Sequence, residues 1–356
     1  YTFFVINSYL KEFMKKEVSI SQLTFESSIN YCNQVQKLID DGITEIELDF
    51  MELSTIEPFG IVYFANFIQE SSKGNISFTC NYPTGDSISY AKHMGLFQCC
   101  RFDIGSHPRK SLPSTSASHI PITIINIENL KAEAIEKNKH VGDIIEEYAN
   151  NFAKLISSLK EGPLVDTLTY CFREITRNVV EHSESKNLVF CAQYWPYLKK
   201  AEIVVLDKGK GILESLNENE SLPDIDNHKD ALNFALLPSI SSKVQYGKKT
   251  KSSDDFWKNT GFGLYMTHRI ASLGGDFFLS SGNHGIRWVN EQKQDYNVNY
   301  LKGTVLRIVI KTDQIEELSN TLMQFREDGF KLARSITKMR IEPSRASLML
   351  SRDRTL

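Results

Sequence analysis

Glu174-Ile175-Thr176-Arg177-Asn178 sits inside a run, Leu164 to Glu181, whose apolar residues recur with the period of a helix. Glu174 and Asn178 are four apart, so both side chains leave one helix face. A carboxylate there can orient or deprotonate an attacking hydroxyl or water. The amide oxygen beside it suits Mg²⁺, a hard ion that takes oxygen ligands. His182 follows by another four and shares the face, where it either lines the same region or serves as a core or capping histidine. Downstream, Ile203-Val204-Val205-Leu206 reads as a strand ending in Asp207-Lys208-Gly209-Lys210-Gly211. Asp207 offers an acceptor to an exocyclic amine such as that of adenine. Gly209 and Gly211 let the backbone turn and approach a ligand closely. Gly261-Phe262-Gly263-Leu264 opens another amphipathic stretch, and the first N–H groups of a helix receive phosphate. Gly303-Thr304 precedes the strand-like Val305 to Ile310. Taken singly, each piece has a plainer reading. Glu174 and Asn178 suit a solvated helix face, Asp207 a turn, and the glycines ordinary loops. The order and spacing of the four pieces set them apart.

The series resembles the N, G1 and G2 boxes of the GHKL ATPases, the family of gyrase B, Hsp90, MutL and the histidine kinases. The resemblance implies an α/β sandwich that binds ATP and Mg²⁺. Glu174 would then be catalytic and Asn178 a metal ligand, and Asp207 would read the adenine. Gly209, Gly211, Gly261, Gly263 and Leu264 would surround the nucleotide, and Thr304 would support Asp207 through water. The run Arg173 to Ser183 is closest to the serine-kinase branch of anti-sigma factors. No His-Glu-x-x-Arg-Thr-Pro-like segment is present, which argues against an ordinary histidine kinase.

The 356 residues suffice for two domains with proper cores. A formal net charge of −3 gives no basic field for nucleic acid. The composition is that of a soluble globular protein, with no run of transmembrane length. The start, Tyr1-Thr-Phe-Phe-Val-Ile, is too short and lacks the basic leader of a signal peptide, and without an initiator methionine the chain reads as trimmed. Six cysteines without C-x-x-C spacing read as thiols in a reducing cytoplasm, with Cys99-Cys100 the one adjacent pair.

Residues 103–119, rich in Ser with Gly105, Pro108 and Pro113, read as a linker between residues 1–102 and an ATP-binding region at 120–312. In the second half, Ile120 to Ile127 reads as a strand, 130–160 as helical, and 187–194 and 201–206 as strands. Further strands are expected near 276–281, 286–290 and 304–310. This order predicts a mixed sheet with helices on one face. The poorly periodic stretch 212–260, ending in Lys243, Lys248, Lys249, Lys251 and Lys258, occupies the place of the family's ATP lid. Loops of such length are functional or disordered. Residues 313–356 read as an amphipathic helix to about Met339 and a tail.

The N-terminal half carries its own pattern. Ile46 to Phe50 reads as a strand, Pro58-Phe59-Gly60 opens the helix Ile61 to Glu70, Asn75 to Cys80 is a second strand, and Asp86 to Met94 a helix closing at Gly95-Leu96-Phe97. Over residues 18–102 this resembles the STAS domain of anti-sigma-factor antagonists. The family's phosphorylatable serine aligns with Phe59, so phosphorylation at the usual place is excluded. Three functions follow as expectations. The chain is a nucleotide-dependent regulator whose lid closure changes the bound partner, a serine/threonine kinase acting in trans on a STAS-type protein, or a binding module in which ATP is structural. Each implies ATP, Mg²⁺ and a protein partner, and leaves room for a homodimer.

Overall fold

The computed structural model describes residues 15–85, 88–115, 118–244, 260–290, 292–315 and 318–337. The chain divides into two compact units, Tyr1–Arg109 and Lys110–Leu356. The division falls inside the expected linker, whose first residues belong to the first unit. Ser106 donates its N–H to the Lys92 carbonyl at 2.9 Å, and Phe102 donates to Phe97 at 2.9 Å. The expected helix start at Asp86 and the expected tail lie outside the described residues.

The first unit runs β1 (Lys15–Ser19), β2 (Gln22–Leu23), α1 (Phe25–Asp40), β3 (Glu45–Asp49), β4 (Thr55–Ile56), α2 (Pro58–Ser71), β5 (Ser77–Asn81), α3 (Ser89–Met94) and α4 (Leu96–Cys99). Strands β1, β3 and β5 form a parallel sheet with β3 in the middle, and β2 pairs β4 in parallel. Parallel neighbours need crossovers, which α1 and α2 supply. The sequence reading passes over β1 and α1. Yet α1 buries Phe25, Ile29, Cys32 and Val35, a stripe of helical spacing, and the Thr24 N–H donates to Ser27 Oγ at 2.8 Å at its start. Helix α2 starts at Pro58, where a missing N–H costs nothing. A Cβ on Gly60 would lie 2.0 Å from the Leu23 carbonyl oxygen, so only glycine lets α2 approach β2. Phe59 is fully buried, its ring 4.9 Å from Phe25 and 5.0 Å from Tyr63.

The second unit continues with β6 (His119–Asn126), α5 (Ile127–Glu136), α6 (Val141–Ser157), α7 (Pro163–His182), β7 (Asn187–Trp195), β8 (Lys200–Asp207), α8 (Ile212–Asn217), α9 (His228–Ala235), α10 (Gly263–Ala271), β9 (Asp276–Val289), β10 (Gln292–Lys311) and α11 (Leu318–Thr337). Stretch 130–160 is thus two helices. Asn138, at φ +51, turns the chain between them, and His140 Nδ1 accepts the Gly142 N–H at 3.0 Å to start α6. The strand order is β6-β7-β8-β10-β9, and every pairing is antiparallel. The expected mixed sheet is therefore corrected to an antiparallel one. The β7–β8 pairing has a local reason: the two strands are joined by a tight turn, with Lys199 N–H on the Pro196 carbonyl at 3.1 Å, which admits only antiparallel neighbours. Alternate residues of β8, Ala201, Ile203 and Val205, join the core with Phe152 of α6 and Phe172 of α7. Phe152 stacks on Phe172 at 4.1 Å, and Phe172 meets Phe190 of β7 edge-on at 5.0 Å.

Strand β9 folds back on itself. Arg287 Nη2 reaches Asp276 Oδ2 at 2.7 Å although the two residues are 11 apart. A straight strand would hold them about 36 Å apart. Gly282 makes the bend, with φ +64 and the His228 ring so close that any Cβ would overlap it. The fold-back completes a buried ion network. Arg307 on β10 bonds Asp276 at 2.5 Å and Glu202 on β8 at 3.2 Å. Burial pushes the Asp276 carboxyl up, but the Arg287 hydrogen bonds and the Arg307 charge outweigh it and hold it below the usual carboxylate range. Asp276→Ala removes the carboxylate shared by two guanidiniums, leaving Arg307 on Glu202 and Arg287 on the Tyr296 hydroxyl, and urea denaturation should register a loss of up to about 3–5 kcal/mol. Asp276 stabilises the fold above its ordinary pKa, and that contribution is lost as pH falls through the depressed folded value. The acid limb of the wild-type stability profile should therefore flatten in the variant. An unchanged denaturation midpoint would rule out this role.

Candidate functional site

A cleft partly open to solvent lies in the second unit. Of the nine residues assigned to a nucleotide from the sequence, eight line it, Glu174, Asn178, Asp207, Gly211, Gly261, Gly263, Leu264 and Thr304, and His182 lines it with them. They come from α7, the end of β8, the start of α10 and the bulge in β10.

Helix α7 supplies the first wall. Pro163 opens it, where a missing N–H costs nothing, and Asp166 in its first turn is favourable to the helix dipole. Glu174 is 3% exposed, so it is no solvated helix position. Arg173 Nε donates to its Oε1 at 2.9 Å, and Arg177 Nη1 lies 3.6 Å from the same oxygen. Arg173, itself fully buried, also donates to Glu146 of α6 at 2.9 Å. The sequence reading did not single out Arg173 or Arg177 as partners of Glu174; their placement one and three residues away is the signal that was available. Oε2 of Glu174 faces the start of α10, where a Cβ on Gly263 would lie 2.2 Å from it. Glycine at 263 thus admits the carboxylate to the helix N-terminus, where negative charge is favoured. Asn178, one turn on, is half-buried in the cleft.

Asp207 ends β8 and pairs with Thr304 on β10 and with Leu188 on β7. It is 2% exposed and accepts the Gly209 N–H at 2.9 Å. Burial raises its carboxyl to about 7, against the lowering effect of that N–H. A buried carboxyl so placed gains from a donor on a ligand. Gly209 itself does not line the cleft. Its Cα is pressed on the preceding turn, where a Cβ would lie 1.9 Å from the Ser183 carbonyl oxygen. Its expected approach to a ligand is thereby corrected: the close approach is to the protein's own backbone, and the N–H orients Asp207. Gly303, at φ +91, brings the β10 bulge so near that a Cβ would lie 2.2 Å from the Asp207 carbonyl oxygen. Ser281, not foreseen, ties these parts together. Its Oγ donates to the Gly303 carbonyl at 2.7 Å and accepts the Ile212 N–H at 3.0 Å. A Cβ on Gly211 would strike that oxygen at 2.8 Å.

The third wall is the turn before α10. Gly261, at φ +71, packs on Ile240, and its carbonyl accepts the Ser239 N–H at 3.1 Å. Stretch 212–244, expected as loop, holds α8 and α9 around a small core of Leu216, Ile225, Ala231, Ala235 and Ile240. Lys243 is exposed, and Lys248, Lys249, Lys251 and Lys258 lie outside the described residues. His182 lines the cleft and bonds Ser242 Oγ through Nδ1 at 2.8 Å. Burial, then the charges of Lys243 and Arg177, lower it to about 4, so it is neutral at physiological pH.

Among the described residues no group of three His, Cys, Asp or Glu is arranged to hold a metal. Asn178 brings an amide to the cleft beside the Glu174 and Asp207 carboxyls, oxygen donors that fit an ion such as Mg²⁺, which keeps several waters and takes phosphate oxygens for the rest. No helix among the described residues is long and apolar enough to cross a membrane. No family model matches the chain, and no curated protein matches it.

Proposed function

We propose that the cleft binds Mg-ATP and that the second unit is a GHKL-type nucleotide module. The observation that carries this reading is Asp207: a buried carboxyl, raised to about 7, turned into a cleft shared with the glycines of the α10 N-terminus. The base amine would donate to Asp207, and the phosphates would meet the first N–H groups of α10. Mg²⁺, held by Asn178 and the phosphates, would neutralise charge on the triphosphate. Glu174 holds a fixed carboxylate beside that region, clamped by Arg173. Its second oxygen, which faces the start of α10, would orient an attacking hydroxyl or water.

The chain then acts as a regulator whose partner binding changes as segment 212–260 closes on nucleotide, with slow hydrolysis or phosphoryl transfer as reset. The first unit, with its parallel sheet and Phe59 in the core, supports a STAS-like partner-binding role that phosphorylation at that place does not control. A phosphoryl acceptor of that type would be a protein in trans.

Titrating ATP by calorimetry, with Mg²⁺ and with chelator, tests the reading, with GTP as the base control. Asn178→Ala should abolish the gain in affinity that Mg²⁺ confers and leave base-dependent binding in place. Equal Mg²⁺ stimulation in variant and wild type would remove the metal role from Asn178. Absence of ATP binding altogether would overturn the nucleotide reading.

A further inference from the structure

Ser242 and His182 form a hydroxyl–imidazole pair in the wall of the cleft, with Oγ and Nδ1 2.8 Å apart. Ser215 donates its hydroxyl to Ser242 Oγ at 3.3 Å, and with the His182 proton on Nε2 the Ser242 hydroxyl donates in turn to Nδ1. A neutral imidazole so placed has its lone pair on that proton, the arrangement that activates a serine hydroxyl. The neutral state of His182 follows from its burial.

The segment bearing Ser242 is held from both sides. Asn219 Nδ2 donates to the Ser241 carbonyl at 2.9 Å, and the Ser239 N–H donates to the Gly261 carbonyl at 3.1 Å. Ile240, two residues before Ser242, packs on Gly261, two residues before the first residue of α10. The hydroxyl is thus anchored next to the turn that would receive phosphate, on the same cleft as Asn178.

We propose that Ser242 is a phosphoacceptor of this chain, taking the γ-phosphoryl group of a nucleoside triphosphate bound in the cleft, with His182 as its base; this rests on the nucleotide reading above. Ser242 Oγ forms a bond to the γ-phosphorus as the bond from that phosphorus to the β,γ-bridging oxygen breaks. The hydroxyl proton passes to His182 Nδ1, and the diphosphate leaves with the electron pair of the broken bond. The product is phosphoserine beside an imidazolium, whose opposite charges stabilise each other. The added negative charge also ends the Ser215–Ser242–His182 chain of hydrogen bonds, so the modified wall differs from the unmodified one.

The test is to incubate the full chain with γ-labelled ATP and Mg²⁺ and to map the label by peptide mass spectrometry, with ATP affinity measured on the same preparation. The expected result is acid-stable label on the peptide containing Ser242. Ser242→Thr should move the label to phosphothreonine at the same position. His182→Gln should slow labelling by about 100-fold or more, the contribution of a general base. ATP bound without label, label on another residue, or acid-labile label at His182 each overturns the proposal while leaving the nucleotide reading intact. No ATP bound overturns both. If Ser242→Thr melts early, the site-localised spectrum of the wild-type chain alone decides the question.

Discussion

Asp207→Asn should bind ATP about tenfold to a hundredfold more weakly than wild type and yet melt at a higher temperature. The loss follows from removing the carboxylate that a base amine would favour in the complex, a charged acceptor worth about 1.5–3 kcal/mol in a hydrogen bond. The gain in stability follows from the raised carboxyl. In the folded chain Asp207 keeps its proton up to about pH 7. In the unfolded chain an aspartate gives up its proton near pH 4. Between those values the folded state binds more protons than the unfolded one, so stability falls as pH rises. The cost at and above pH 7 is on the order of 2–4 kcal/mol. Asparagine carries no such charge, still offers Oδ1 to the Gly209 N–H, and escapes that cost. The melting advantage of the variant should therefore grow as the buffer is raised from about pH 5 to about pH 8. Calorimetric titration and thermal melts on one preparation check both halves. A variant that binds ATP as wild type does would take the base-reading role away from Asp207, and a variant less stable at pH 8 would show that its charge is offset in the fold.

Glu174→Gln should retain ATP and lose turnover by about 10²–10⁴-fold, the usual share of a general base. The ion pairs of Glu174 decide which substitution is informative. Arg173 and Arg177 both address Oε1, so Glu174→Ala takes one carboxylate from each of two buried guanidiniums, which keep Glu146 and Glu181 respectively, at a cost of up to about 3–5 kcal/mol. Glutamine keeps the shape and an acceptor oxygen, and Arg173 keeps Glu146. Its melting temperature should fall less than that of the alanine variant. ATP affinity should hold or rise, because the carboxylate adds no attraction for a triphosphate. Phosphate release, ATP affinity and melting temperature separate the outcomes. Full turnover in a well-folded Glu174→Gln protein would sink the catalytic role. Loss of binding in parallel with stability would make Glu174 a structural ion-pair residue.

The residues lining the cleft were legible in the sequence because their signals are local. Glu174 and Asn178 share a face through helix spacing alone. Asp207 declares itself by ending an apolar strand, and Gly261 and Gly263 by preceding an amphipathic run. Gly209 belongs to the same pattern but was assigned the wrong neighbour. A glycine announces that something comes close, and the chain cannot say whether that is a ligand or the Ser183 carbonyl. Ser281 carried no signal at all, since its two bonds join Gly303 and Ile212 across long stretches of sequence. Helices α8 and α9 were hidden for a related reason: the apolar residues of 212–244 make a core only when folded on one another.

By itself the sequence determined β3, β5, β6, β7 and β8, the helix bearing Glu174 and the glycine turns, because period and backbone freedom are properties of neighbouring residues. Tertiary structure alone decided which of them meet. It set β10 antiparallel beside β8, folded β9 back at Gly282 so that Arg287 could reach Asp276, and clamped Glu174 with Arg173. It also set the protonation of the site. Aspartate and histidine have ordinary affinities for protons in an unfolded chain, and only burial in the cleft raises Asp207 to about 7 and lowers His182 to about 4.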